Sequence, residues 1–156
     1  MSLDPIDVRL LAELQQNGRR SVVELAERVG LSPTPCARRI RQLEDAGVIQ
    51  GYAAAIDPGR LGLHVRAFVQ VKLERHTDEN VALFRESLEA IDAVVSCYAT
   101  TGEHDFMLQV LVPDLESLGN LVLRTLLRIP CVRDVQSSLA LETMKRSTRV
   151  PLGHLR

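Results

Sequence analysis

The sequence has no apolar run near the ~20 residues that a membrane-spanning helix needs, and its opening, MSLDPIDV, lacks the basic-then-apolar order of a secretory signal. Both gaps lead us to expect a cytoplasmic protein with no membrane partner. Cysteine is scarce: Cys36, Cys97 and Cys131 are odd in number and widely spaced. That pattern fits reduced buried thiols better than a disulfide framework or a zinc site. An excess of one charge is missing too, since 19 Lys and Arg face 20 Asp and Glu. No global basicity advertises nucleic acid, so any such signal has to be local. What remains, 46% hydrophobic and 25% charged over 156 residues, is a globular composition, long enough for one ordinary domain or two small ones.

Residues 1–50 read as a set of short helices, each with its own start and stop. Asp4-Pro5-Ile6-Asp7 offers a capping acid, a proline at the first helical position and a second acid in the first turn. Leu3, Ile6, Leu10 and Leu14 then share one face, and Asn17-Gly18 closes the helix. Ser21-Val22-Val23-Glu24 is a capping box opening a helix whose Val22, Leu25, Ala26 and Val29 keep helical spacing up to Gly30.

The stretch LSPTPCARRIRQLEDAG begins a third helix. Ser32 is its expected cap, and prolines in the first turn remove only amides that have no helical partner. Cys36, Ile40, Leu43 and Gly47 fall on one stripe, with Thr34, Arg38 and Arg41 opposite and Arg39 and Gln42 beside them. No acid occurs in this helix before Glu44, whereas ordinary surface helices mix signs. A helix, a short turn and a second helix with an apolar inner and a basic outer stripe is a helix-turn-helix, and double-stranded DNA is its expected partner. Ser32, Thr34 and Pro35 are then expected to meet the duplex first. Arg38, Arg39 and Arg41 supply guanidinium forks for phosphates or guanine edges, with Gln42 at their flank.

Beyond Gly47 the pattern changes. Val48 to Ile56 is apolar and small, expected as one or two short strands, and Asp57 to Leu63 is expected as a hinge. From His64 to Glu74 apolar Val65, Ala67, Val69, Val71 and Leu73 alternate with Arg66, Phe68, Gln70 and Lys72, as in a half-buried strand. Val81, Phe84, Leu88 and Ile91 form a helical stripe. Val94–Thr101 and Asp105–Val112 are expected strands around the loop Thr101-Gly102-Glu103-His104. Leu115, Leu118, Val122, Leu126 and Ile129 mark a second helix before a last strand over Val132–Thr143. The order βαββαβ is that of the ferredoxin-like fold. The expected class is α+β: a winged helix-turn-helix domain over 1–50, a strand and hinge linker over 51–63, and a ferredoxin-like domain over 64–156.

In this order LDPIDVRLLAELQQNGR, ELAERVGLSPTPCARRIRQLEDAGVIQGYAA, TGEHDFML and VPDLESLGNLVLRTLLRIPCV resemble the Lrp/AsnC family of transcription regulators along essentially the whole chain. The resemblance implies a homodimer formed by the C-terminal domains, assembly of dimers to an octamer, no cofactor or metal, and an amino-acid or related effector held between dimers. Position by position it implies effector contacts at Ala99, Thr101, Gly102, Glu103, His104, Asp105, Leu115, Thr125, Ser137, Ser138, Leu139 and Ala140. Gly102 permits close backbone approach and Asp105 suits an ammonium group. The chain departs from the family's usual Gly-Asp-x-Asp, which here is Gly102-Glu103-His104-Asp105, and from a bulky last-strand residue, which here is Ser138.

Two other readings share this layout. An octamer presenting many reader helices can wrap DNA as an architectural protein that senses nothing. A tetrapyrrole-decarboxylase-like enzyme needs a catalytic role for His64, His76, His104 or His154, of which only His104 has flanking carboxylates. A basic reader helix has no use in that enzyme.

Overall fold

The computed structural model describes residues 3–155. They form two compact units, one made of the residues up to Ala55 with those from Lys145 onward, the other of Ile56–Met144.

The first unit contains α1 (Pro5–Gln16), α2 (Val22–Val29) and α3 (Pro33–Asp45). Asp4 accepts the amides of Ile6 at 2.8 Å and Asp7 at 2.9 Å, while the Asp7 carboxylate accepts the Asp4 amide at 3.1 Å. Ser21 and Glu24 cap α2 in the same reciprocal way. Gly30 ends α2 at φ 75°, a left-handed conformation that favours glycine. Leu10, Leu25, Ala26, Val29 and Cys36 are buried where the helices meet, with Ile6, Leu14, Leu31 and Ile40 packed against them.

Three expectations are corrected here. Ser32 has the backbone of an N-cap, yet its side chain caps nothing. The third helical residue is Pro35, so the amide a capping serine usually takes does not exist. Val48 to Ile56 carries no strand, because a strand needs a partner for its ladder and no other described residue of this unit is in a strand. The tail from Lys145 belongs to this unit and not to the second. Gln15 holds it, donating to the Val150 carbonyl at 3.2 Å and accepting the Val150 amide at 2.5 Å.

The second unit runs β1 (Val65–Leu73), α4 (Asp78–Glu89), β2 (Val94–Ala99), β3 (Phe106–Val112), α5 (Leu115–Asn120) and β4 (Val132–Leu139). The sheet is antiparallel with order β2-β3-β1-β4, which confirms the ferredoxin-like plan. Alternation sets its faces: Ala67, Val69 and Val71 are fully buried beside Leu108 and Val110. Phe84 of α4 reaches this layer, its ring centroid 4.9 Å from that of Phe106.

Helix α5 departs from one regular stripe. After Asn120 the chain makes a π turn over Leu121–Thr125 and a 3-10 turn over Leu126–Arg128. The buried residues are Leu118, Leu121, Leu126 and Ile129, and the step from Leu121 to Leu126 matches the wider π turn. Leu115, expected on the inner stripe, is 61% exposed. The last strand stops at Leu139 rather than Thr143, its final ladder bond running from the Ala140 amide to the Arg66 carbonyl at 3.0 Å. Cys36 and Cys131 are buried thiols, but Cys97 is exposed on the edge strand β2.

Candidate DNA-binding face and effector site

In the first unit Ser32, Thr34, Arg38, Arg41 and Gln42 are exposed along α3, while Pro35 and Arg39 are half-buried. Arg38 and Arg41 join no ion pair among the described residues. Their exposed guanidinium groups suit phosphates and guanine edges.

Arg39 differs. Its Nη1 donates to Asp4 Oδ2 at 2.6 Å and to Asp7 Oδ1 at 2.8 Å. The Asp7 amide and then Arg39 hold the Asp4 carboxyl below the ordinary carboxylate range, partial burial opposing them. Asp7 and then Asp4 push the Arg39 guanidinium further up. Sequence reasoning placed Arg39 at DNA because its helical angle adjoins the basic stripe. Its acidic partners lie 32 and 35 residues earlier, beyond the reach of helical periodicity.

In the second unit the turn between β2 and β3 is closed by backbone and side chain together. The Thr100 amide donates to the Asp105 carbonyl at 2.9 Å, and the Thr100 hydroxyl to the His104 carbonyl at 3.1 Å. Gly102 sits at φ 116° with open space where a Cβ would stand, so its glycine is needed for backbone conformation. A cavity of about 640 Å³ lies beside this turn, lined by Gln70, Ala99, Thr100, Thr101, Glu103, His104, Met107 and Gln136. It unites four expected effector residues: Ala99, Thr101, Glu103 and His104. Gln70, Met107 and Gln136, which sequence reasoning missed, are mutually in register on neighbouring strands. The polar second face of β1 was the available signal for Gln70.

Glu103, His104 and Asp105 of the turn do not converge. Asp105 Oδ2 accepts the Leu73 amide at 2.8 Å and Oδ1 lies 3.2 Å from His76 Nδ1. His104 turns to Asp134, Nε2 to Oδ2 at 3.8 Å, while Glu103 stays exposed. Asp105 thus has partners inside the chain where an ammonium ligand was expected.

The remaining expected effector residues lie elsewhere. Leu115 and Thr125 are exposed along the second helical segment, and Ser137, Ser138 and Leu139 are exposed on β4, with Ala140 half-buried. The Asp105 amide bonds the Val71 carbonyl, whereas Leu139 pairs with Ala67 and the Ala140 amide bonds Arg66. At ~3.3 Å per residue those points on β1 are about 13 to 17 Å apart, whereas Ser137 and Ser138, opposite Val69 and Phe68, stand about 7 and 10 Å from Val71 and adjoin Gln136 of the cavity wall. One chain alone leaves Leu139 and Ala140 apart from the turn.

A helix-turn-helix with a free basic face, carried with an α+β unit holding a polar cavity beside a glycine turn, defines a DNA-binding protein with a small-molecule domain. Known proteins agree. Residues 3–50 match the winged helix-turn-helix DNA-binding family and residues 66–150 the Lrp/AsnC ligand binding domain. Leucine-responsive regulatory proteins of Klebsiella pneumoniae and Escherichia coli strain K12 are each 40% identical over 148 residues, covering 95% of this chain and 90% of theirs. Among solved structures, a transcriptional regulator of Neisseria meningitidis in complex with L-Met is 44% identical, with TM-score 0.94 over 99% of each chain. An AsnC family regulator from Agrobacterium tumefaciens is 36% identical, with TM-score 0.91 over 97% of this chain and 99% of its own. The chain belongs to the Lrp/AsnC family and is a DNA-binding transcription regulator with a ligand-binding domain. Among the described residues no helix is long and apolar enough to cross a membrane.

Proposed function

We propose that this regulator acts in the cytoplasm without catalysis or cofactor, and that an amino acid changes how many of its reader helices engage DNA at once. Ser32, Thr34, Pro35, Arg38, Arg41 and Gln42 meet the duplex. The effector enters the cavity beside the Thr101–Asp105 turn. A second copy completes the site with Leu115, Thr125 and Ser137 to Ala140. The observation that carries this reading is the distance of Leu139 and Ala140, at the end of β4, from the Thr101–Asp105 turn. A ligand bridging two copies binds the assembled form more tightly, and so shifts the assembly equilibrium by that difference in affinity.

Pairing of copies has its own support. The second sheet face carries Phe68 and Tyr98, 39% and 61% exposed, with Met107 and Leu111 half-buried beside them. An apolar patch of this kind on an otherwise polar face fits a two-fold homodimer, which dimers can extend to an octamer.

L-Met is the first effector to try, because the Neisseria meningitidis relative at 44% identity was solved with it. A thermal-shift screen of the twenty amino acids tests the reading. A ligand at 100 times its dissociation constant should add about 2.7 kcal/mol. No stabilisation by any amino acid, with DNA binding intact, would favour the non-sensing architectural role.

A further inference from the structure

Of the three arginines on α3, Arg39 alone has ionic partners among the described residues. One nitrogen, Nη1, serves both carboxylates of the reciprocal cap that starts α1. Asp7 is 5% exposed and is the buried charged residue among those described. A carboxylate in that position requires a cation beside it.

The apolar packing beneath α3 is narrow. Its fully buried residues are Cys36 and Leu43, with half-buried Ile40 between them on the same line along the helix. Anchors along one line hold the helix down but constrain its roll about that line least, because apolar contact has no preferred direction. A charge-assisted hydrogen bond does have one.

We propose that Arg39 is a positioning residue: instead of reading DNA, it ties the middle of α3 to the first turn of α1 and so fixes the roll at which Arg38 and Arg41 are presented. This rests on the reading that α3 enters DNA. Its consequence is that Asp4 and Asp7, acids in a DNA-binding unit, support binding rather than oppose it.

The sign of one variant separates the two roles. Asp4→Asn removes a negative charge and loosens one hold on Arg39. If Arg39 served a phosphate, binding should tighten. If Arg39 is a clamp, binding to the preferred sequence should weaken although the protein has become less acidic.

The experiment uses the full-length protein and two duplexes, one selected by the wild type from a random-sequence pool and one scrambled from it. Fluorescence anisotropy is read between ~50 and ~200 mM salt, at a temperature where circular dichroism shows every variant folded. Arg39→Ala should lower affinity for the selected duplex about tenfold and Asp4→Asn about threefold, each leaving the scrambled duplex within about twofold. The double variant should lose no more than Arg39→Ala alone, since both act through one contact. A protein in which the contact matters only for folding shows no change on either duplex once folded, and that result overturns the proposal. So does tighter binding by Asp4→Asn. So does an Arg39→Ala loss that is equal on both duplexes, with the salt slope reduced by about 0.9, the mark of one phosphate contact. Asp4, whose side chain is 44% exposed, keeps the test open if Arg39→Ala does not fold. Failure of the wild type to select any sequence would sink the DNA-binding reading instead.

Discussion

Asp105 accepts the backbone amide of Leu73 at 2.8 Å, tying the end of the Thr101–Asp105 turn to the end of β1. The register of β1 against β4 shifts between Lys72 and Leu73, and the acid meets the chain at that irregularity. Asp105→Ala should therefore cost stability, about 1.5 to 3 kcal/mol for a hydrogen bond to a charged group. Asp105→Asn, which keeps an acceptor oxygen, should recover part of it. Urea unfolding measures both. A variant of unchanged stability that no longer answers an effector would assign Asp105 to the ligand directly.

Arg38→Ala and Arg41→Ala should each weaken binding to the preferred duplex by ~1 to 3 kcal/mol if the arginine reads a base. Sedimentation should show the same assembly as wild type, since α3 lies in the unit that does not carry the sheet. Unchanged affinity in both variants would remove this face from the DNA interface.

Acid should destabilise the protein through its helix caps. Asp4 is held low by the Asp7 amide first, Glu24 by the Ser21 amide and hydroxyl, and Asp114 by the Ser117 amide. A carboxyl whose folded value is lowered contributes stability above its unfolded value, and that contribution is lost as pH falls through the folded value. The unfolded references are 3.8 for aspartate and 4.5 for glutamate. The thermal midpoint should therefore be steady near neutral pH and fall below about pH 4, less steeply in Asp4→Asn. A midpoint that rises on acidification would contradict this.

The parts of the fold legible in the sequence are those with local causes. The starts of α1 and α2 were readable because Asp4, Asp7, Ser21 and Glu24 act within one turn of themselves. The sheet was readable because alternation at Ala67, Val69 and Val71 has one burial consequence. The π turn at Leu121–Thr125 was not, since an apolar repeat of three and four does not announce one extra residue. Strands over Val48 to Ile56 were expected from apolar content, yet pairing depends on a neighbour that no local pattern supplies. The site follows the same rule. Exposed Arg38 and Arg41 came from helical angle, whereas the Arg39 clamp, the Asp105 bracket and the Gln70 and Gln136 walls depend on residues brought from afar.

Phe68→Glu should lower the mass of the assembly, because it places a charge in the apolar patch that carries Tyr98. Light scattering at micromolar concentration, without DNA, reads the result. A two-fold dimer further requires a roughly palindromic target with half-sites spaced by whole helical turns. A wild-type monomer under those conditions would contradict the proposed pairing.

The most direct test of the central claim is sedimentation velocity on the wild-type protein as L-Met, and then each other amino acid, is titrated in, with anisotropy of the selected duplex read on the same samples. The effector-bridged reading predicts that one amino acid or a small related set shifts the assembly and the DNA affinity over the same concentration range. Thr101→Arg, which fills the cavity beside the turn, should lose both shifts together while its effector-free DNA binding stays near wild type. If no amino acid moves either quantity in the wild type, sensing is absent, and if the active one moves both undiminished in Thr101→Arg, sensing lies elsewhere.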